Sequence, residues 1–174
     1  ECGPASSPTE IPTALPIDPN DYQGWWTYTH PTYNFSIMLP QDWTVDETTT
    51  FDPLMNGHTI NLRPAYGTEN IRMTFRRAGE DVPLWPTGVG QGEFIEQGTF
   101  DVAGQPAQRL LLVCPTGEVT AIWYHNADGG PNIVRGGMEF GFIYSMGEHC
   151  TPGLNLSGKV QRWGEMIIAS LNVP

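Results

Sequence analysis

Residues 25–45 read WWTYTHPTYNFSIMLPQDWTV, two short β-like runs joined by a His-Pro turn. In Tyr33, Phe35, Ile37 and Leu39 every second residue is apolar, and Asn34, Ser36 and Met38 lie between them. That period of two belongs to a strand with one buried face. Pro40 removes a ladder donor and stops the strand. Trp43 follows at once and is large enough to plug the edge of a core. The stretch indicates a β-rich domain and carries no chemistry of its own.

The rest of the chain extends this pattern. Residues 44–47 continue as a short strand. HTINLR at 58–63 alternates and ends at Pro64. In IRMTFR, Ile71, Met73 and Phe75 face one way, and Arg72, Thr74 and Arg76 the other. Residues 79–92 are crowded with Gly and Pro and read as a long surface loop that carries Trp85. Strands are expected at 92–102, 107–113, 119–125 and 138–146, with turns at Gly104 and at NADGGP, 126–131. The run at 107–113 is nearly continuous and apolar, as in a strand buried on both faces. From Ser157, a plausible N-cap, the period changes. Val160, Trp163, Ile167 and Leu171 mark one face of a helix. Gly164 within it costs about 1 kcal/mol against Ala and is expected to let the helix approach the sheet closely. The sum is an α+β domain, an antiparallel β-sheet covered by a C-terminal helix.

Residues 1–21 carry Pro4, Pro8, Pro12, Pro16 and Pro19 among Ser, Thr and acids. Such a segment reads as an extended, proline-rich linker. The folded domain is then 22–174.

Composition excludes several function classes. The chain has 174 residues, with eight Lys plus Arg against 19 Asp plus Glu, for a net charge of −11. Nucleic acid demands a cationic footprint, so none is expected as a partner. An anionic membrane surface is equally unattractive. A cationic partner, a metal ion or simple solubility fits better. No run reaches the roughly 20 apolar residues of a spanning helix. Cys114 and Cys150 each follow an apolar run, at strand ends where a disulfide can join neighbours. A bridge between them implies an extracytoplasmic protein. Cys2 stands at the head of the linker, where a bacterial lipoprotein carries its acylated cysteine, although Glu1 precedes it. One lipid there would hold the domain at a membrane.

These elements resemble the PsbP-like family, in its bacterial secreted lipoprotein type. YTHPTYNFSIMLPQDWTV is similar to the family's opening, an aromatic-rich strand ending in Pro and then Trp. TFDVAGQPAQRLLLV is similar to its central strand–turn–strand unit, and KVQRWGEMIIASLNV to its terminal helix. The fold is shared with the extrinsic oxygen-evolving protein of photosystem II and with a nuclear Ran-binding protein. The resemblance implies an α-β-α sandwich acting as an accessory or docking module. The helix the family places between the first hairpin and the central strands is not evident; a loop is read there instead.

Catalytic patterns are absent. There is no GxSxG elbow and no HExxH. His149 and Cys150 are neighbours, which point to opposite faces of a strand. The Gly88–Gly92 run lacks the helix and Lys of a phosphate loop. His30 sits in a turn and reads as exposed. A metal site is conceivable only by convergence of His125, Asp128, Glu148 and His149. The aromatics are more suggestive, with Trp25, Trp85 and Tyr124 as candidate contacts. The reading is a non-enzymatic extracytoplasmic module without cofactor, secreted or surface-tethered, that docks on a protein partner. A carbohydrate or small-ligand module built on the same aromatics is the alternative. It requires a concave aromatic patch with Asn, Asp or Glu nearby. A divalent-metal protein around His125, Asp128 and His149 is the third reading.

Overall fold

The alternation at positions 35, 37 and 39 has the predicted consequence. Phe35, Ile37 and Leu39 are completely buried, and Ser36 and Met38 between them are half-buried. The computed structural model describes residues 17–47, 58–79, 93–102, 105–126, 133–145, 150, 153, 156 and 158–174. Of 93–102, 105–106, 120–121, 123–126 and 158–161 only the backbone is described.

Strand β1, Trp26–Thr29, pairs antiparallel with β2, Ser36–Leu39, so that Trp26 faces Leu39 and Thr29 faces Ser36. Pro40 ends β2, as expected. The second run is shorter than the sequence suggests, because Tyr33 and Asn34 belong to the turn. There the His30 amide donates to the Phe35 carbonyl at 2.9 Å and the Asn34 amide to the His30 carbonyl at 3.0 Å. Asn34 takes a φ of 59°, a left-handed conformation that Asn tolerates better than most residues.

This hairpin is a sheet of its own, and its outer edge is closed by the end of the chain. Ser36 and Asn172 exchange both backbone hydrogen bonds, at 2.8 and 2.9 Å. The Met38 amide donates to Ser170 Oγ at 2.7 Å. Ladder donors that would otherwise attract a foreign strand are thereby paired.

The large sheet contains β3 (Trp43–Asp46), β4 (His58–Pro64), β5 (Asn70–Arg77), β6 (Glu93–Val102), β7 (Gln105–Val113), β8 (Val119–Asn126), β9 (Ile133–Arg135) and β10 (Met138–Ser145). Their spatial order is β3-β4-β5-β10-β8-β7-β6, with β9 also paired to β10, and every pairing is antiparallel. Ile71, Met73 and Phe75 face the core together with Phe140, Phe142 and Tyr144 of the neighbouring β10. Strand β9 is absent from the sequence reading. It turns into β10 through Gly136 and Gly137, both with positive φ, at 54° and 73°. Arg135 and Met138 pair directly across them. A two-residue turn with two positive φ values matches the twist of a hairpin.

Helix α1 spans Gly158–Ala169. Met166, Ile167 and Ile168 are buried, as is Leu171 just beyond, and Trp163 packs against the core. The Val160 side chain and the expected cap Ser157 lie outside the described residues. A Cβ on Gly164 would stand 3.5 Å from the Tyr144 ring and 3.7 Å from Ile71 Cδ1. Those are ordinary contacts, so the close approach expected of this glycine is not what the position requires. Glu165 pairs with Arg109 of β7, both side chains being 6% exposed. The run at 107–113 is therefore not purely apolar in its burial: it hides a guanidinium. Among the described residues α1 is the one α-helix, and the second helical layer implied by the resemblance is not among them. Residues 80–92, read as a loop, also lie outside.

Ahead of β1, Pro19–Tyr22 forms a 3-10 turn capped by Asp18, whose Oδ1 accepts from the Asn20 amide at 2.8 Å. The Tyr22 hydroxyl donates to the Met166 carbonyl at 2.8 Å, joining this turn to α1. Cys114 and Cys150 form a disulfide with their Cα atoms 5.3 Å apart.

A candidate recess of imidazole and aromatic rings

The tight turn at 30–35 determines where His30 points. Its Nδ1 accepts hydrogen bonds from the Thr32 and Tyr33 amides, each at 3.2 Å. With Nδ1 occupied by two donors, the neutral ring carries its hydrogen on Nε2. The ring lies against Phe35, with centroids 5.1 Å apart, and edge-on to Phe75 at 5.0 Å and Tyr33 at 5.3 Å. This corrects the exposed-turn reading of His30: the imidazole is half-buried in an aromatic cluster.

His58 reaches the same place from another element. It opens β4, directly across from Phe75 of β5, and stacks on that ring at 5.6 Å with the planes 19° apart. Tyr33 lies 5.0 Å from His58 and 5.2 Å from Phe75. Arg77 of β5 places its guanidinium carbon 5.8 Å from the Tyr33 centroid. Such offset and edge-on arrangements follow the ring quadrupoles.

Together His30, Tyr33, Glu47, His58 and Phe75 line a recess of about 320 Å³, floored by Ile60. Glu47 follows β3, and its Oε1 accepts from the Tyr28 hydroxyl at 2.6 Å. Burial, and next the bond to Glu47, push the Tyr28 hydroxyl well above the ordinary phenol range. Burial holds His30 below the usual imidazole value; nearby Glu47 opposes this, and His58 adds to it. At neutral pH His30 is therefore uncharged, and Glu47 brings a carboxylate to the lining.

The recess offers apolar ring faces, a donor at Nε2 and a carboxylate. Among the described residues no three His, Cys, Asp or Glu groups converge on a metal position, and no helix is long and apolar enough to cross a membrane.

A solution structure of cyanobacterial PsbP (CyanoP) from Synechocystis sp. PCC 6803 matches this architecture with a TM-score of 0.52. The match covers 99% of this chain and 100% of that one, at 15% identity. The fold is PsbP-like. No family model and no curated protein matches the sequence.

Of the candidate contacts named from sequence, Trp25 is the one whose side chain is described in this PsbP-like architecture. Trp25 is half-buried, edge-on to Tyr22 at 5.2 Å and packed against the core. Its neighbour Trp26 is 37% exposed and donates from Nε1 to the Pro40 carbonyl at 3.1 Å. Tyr124 and His125 lie in β8, opposite Arg109 and Gln108, and their side chains are outside the described set. Trp85, Asp128, His149 and Cys2 also lie outside the described residues.

The sequence reading missed the pairing of His30 with His58. The available signal is the β4–β5 hairpin. Once its register places His58 across from the inward Phe75, His58 shares that residue's face.

Proposed function

We propose that this chain is a non-catalytic, extracytoplasmic docking module that receives one projecting side chain of a protein partner in the His30–Phe75 recess. The carrying observation is the recess itself. Its volume of about 320 Å³ falls at the small end of ligand sites. That is room for one side chain or a small ligand, and not for a folded surface. The exposed large apolar residues among those described, Trp26, Tyr66 and Val134, sit on separate elements and form no broad patch. In this reading α1 covers the sheet as a rigid layer behind the recess. The proline-rich linker ahead of the Asp18-capped turn supplies reach, with Cys2 as a lipid anchor. The Cys114–Cys150 bridge suits an oxidising compartment.

A photo-cross-linking residue at Thr32, on the exposed rim, tests this. The comparison is the same residue at Thr68, in the turn at the far end of the β4–β5 hairpin. The reading expects one protein to be captured from position 32 and not from 68. Equal capture from both, or none from position 32, contradicts it.

A second reading, a carbohydrate or small-ligand module, is favoured by the concavity of the recess and by Glu47 at its side. It predicts saturable binding of a small ligand with no protein captured. A divalent-metal site around His125, Asp128 and His149 stays a third proposal. Stoichiometric metal in purified protein supports it, and a metal-free sample removes it.

A further inference from the structure

We infer that the group the recess accepts is a guanidinium, the side chain of an arginine in a basic segment of the partner. This rests on the docking reading above and gives its site a chemistry. Three observations carry it. Glu47 brings a negative charge to the recess, and its Oε1 bond to Tyr28 fixes the carboxylate in place. The lining includes the rings of Tyr33 and Phe75, and aromatic π faces attract cations. The outer part of this cluster already holds one guanidinium, since Arg77 lies over the Tyr33 ring at 5.8 Å.

Arginine fits better than lysine. A guanidinium is planar, weakly hydrated, and able to stack on a ring while forking its N–H groups onto one carboxylate. An ammonium is compact and strongly hydrated, so a recess with mostly apolar walls would strip its water for little return. An anion would meet the Glu47 carboxylate within the lining. At longer range the net charge of −11 draws basic segments in and repels acidic ones.

The test is a titration of the whole chain with four blocked amino acids, N-acetyl amides of arginine, lysine, leucine and glutamate. It is read by NMR at the His30 and His58 ring protons. The arginine probe is expected to shift both rings saturably, with lysine weaker and glutamate without effect. Glu47→Gln keeps an acceptor for Tyr28 and should weaken the arginine probe about three- to fivefold, as for a partly exposed ion pair. Thr32→Lys, which brings a competing cation to the rim, should weaken it further.

Saturable binding of leucine with none of arginine would overturn the guanidinium assignment and leave the recess as a binding site. No ring shift with any probe would overturn both. Equal shifts from arginine and lysine, unchanged in Glu47→Gln, would reduce the effect to bulk charge and also overturn the assignment.

Discussion

His30 shows how a single position acquires its character from backbone geometry. The Pro31 turn brings two amides to Nδ1, and Phe35, Tyr33 and Phe75 exclude water from the ring. The charged form loses hydration, and a proton on Nδ1 would displace both accepted bonds. Glu47 favours that proton, His58 disfavours it, and Tyr28, Tyr33 and Arg77 complete the surroundings. The sign follows. The folded-state pKa of His30 is depressed, so its contribution to stability is present above the unfolded value of about 6.5. It is lost as pH falls from there through the lower folded value. Thermal melts should therefore show a lower Tm at pH 5 than at pH 7.5. His30→Asn, which keeps an oxygen acceptor for the two amides and cannot titrate, should lose this part of the dependence. An unchanged pH profile in that variant would contradict the assignment.

At the scale of elements, α1 is fastened by contacts of different kinds. Gly164 sits in the helix at ordinary contact distance from Tyr144 and Ile71 once a Cβ is added. Gly164→Ala should thus raise stability by about 0.5–1 kcal/mol through backbone entropy, measured by urea denaturation. A destabilised variant would mean that the helix sits closer than described. The buried Arg109–Glu165 pair ties α1 to β7. Removing one partner leaves an uncompensated charge, so Glu165→Ala should cost about 3–5 kcal/mol. The double replacement Arg109→Met with Glu165→Leu should recover most of that loss; failure to recover any would show that the pair does more than neutralise itself. Much of this level was legible in the sequence. The alternations at 35–39 and 71–75, the stop at Pro40 and the stripe at 163, 167 and 171 each depend on neighbours along the chain. The Arg109–Glu165 pair was not, because an arginine within an apolar run signals burial only when its distant partner is known. Strand β9 was legible in principle from Gly136-Gly137 and was overlooked.

For the molecule as a whole, the separate hairpin is the organising feature. It is pinned on one side by the chain's last residues and buries Phe35, Ile37 and Leu39 beneath it. Its turn leans over the ends of β4 and β5, and the recess opens there. Periodicity describes the sheet well and says little about where a turn from one sheet meets the rim of another. Tyr33 and His58 come together through that crossing and not through any local pattern. The molecule that results is a disulfide-joined platform with a small, acidic, aromatic-walled recess at one end and the exposed Tyr66 turn at the other. The most direct test takes the segment cross-linked from position 32, synthesised as a peptide, and follows the His30, His58 and Tyr66 rings by NMR as it is added. Saturable shifts at both imidazoles, with Tyr66 still, are the predicted result. Shifts at Tyr66 with both imidazoles unmoved would contradict the account.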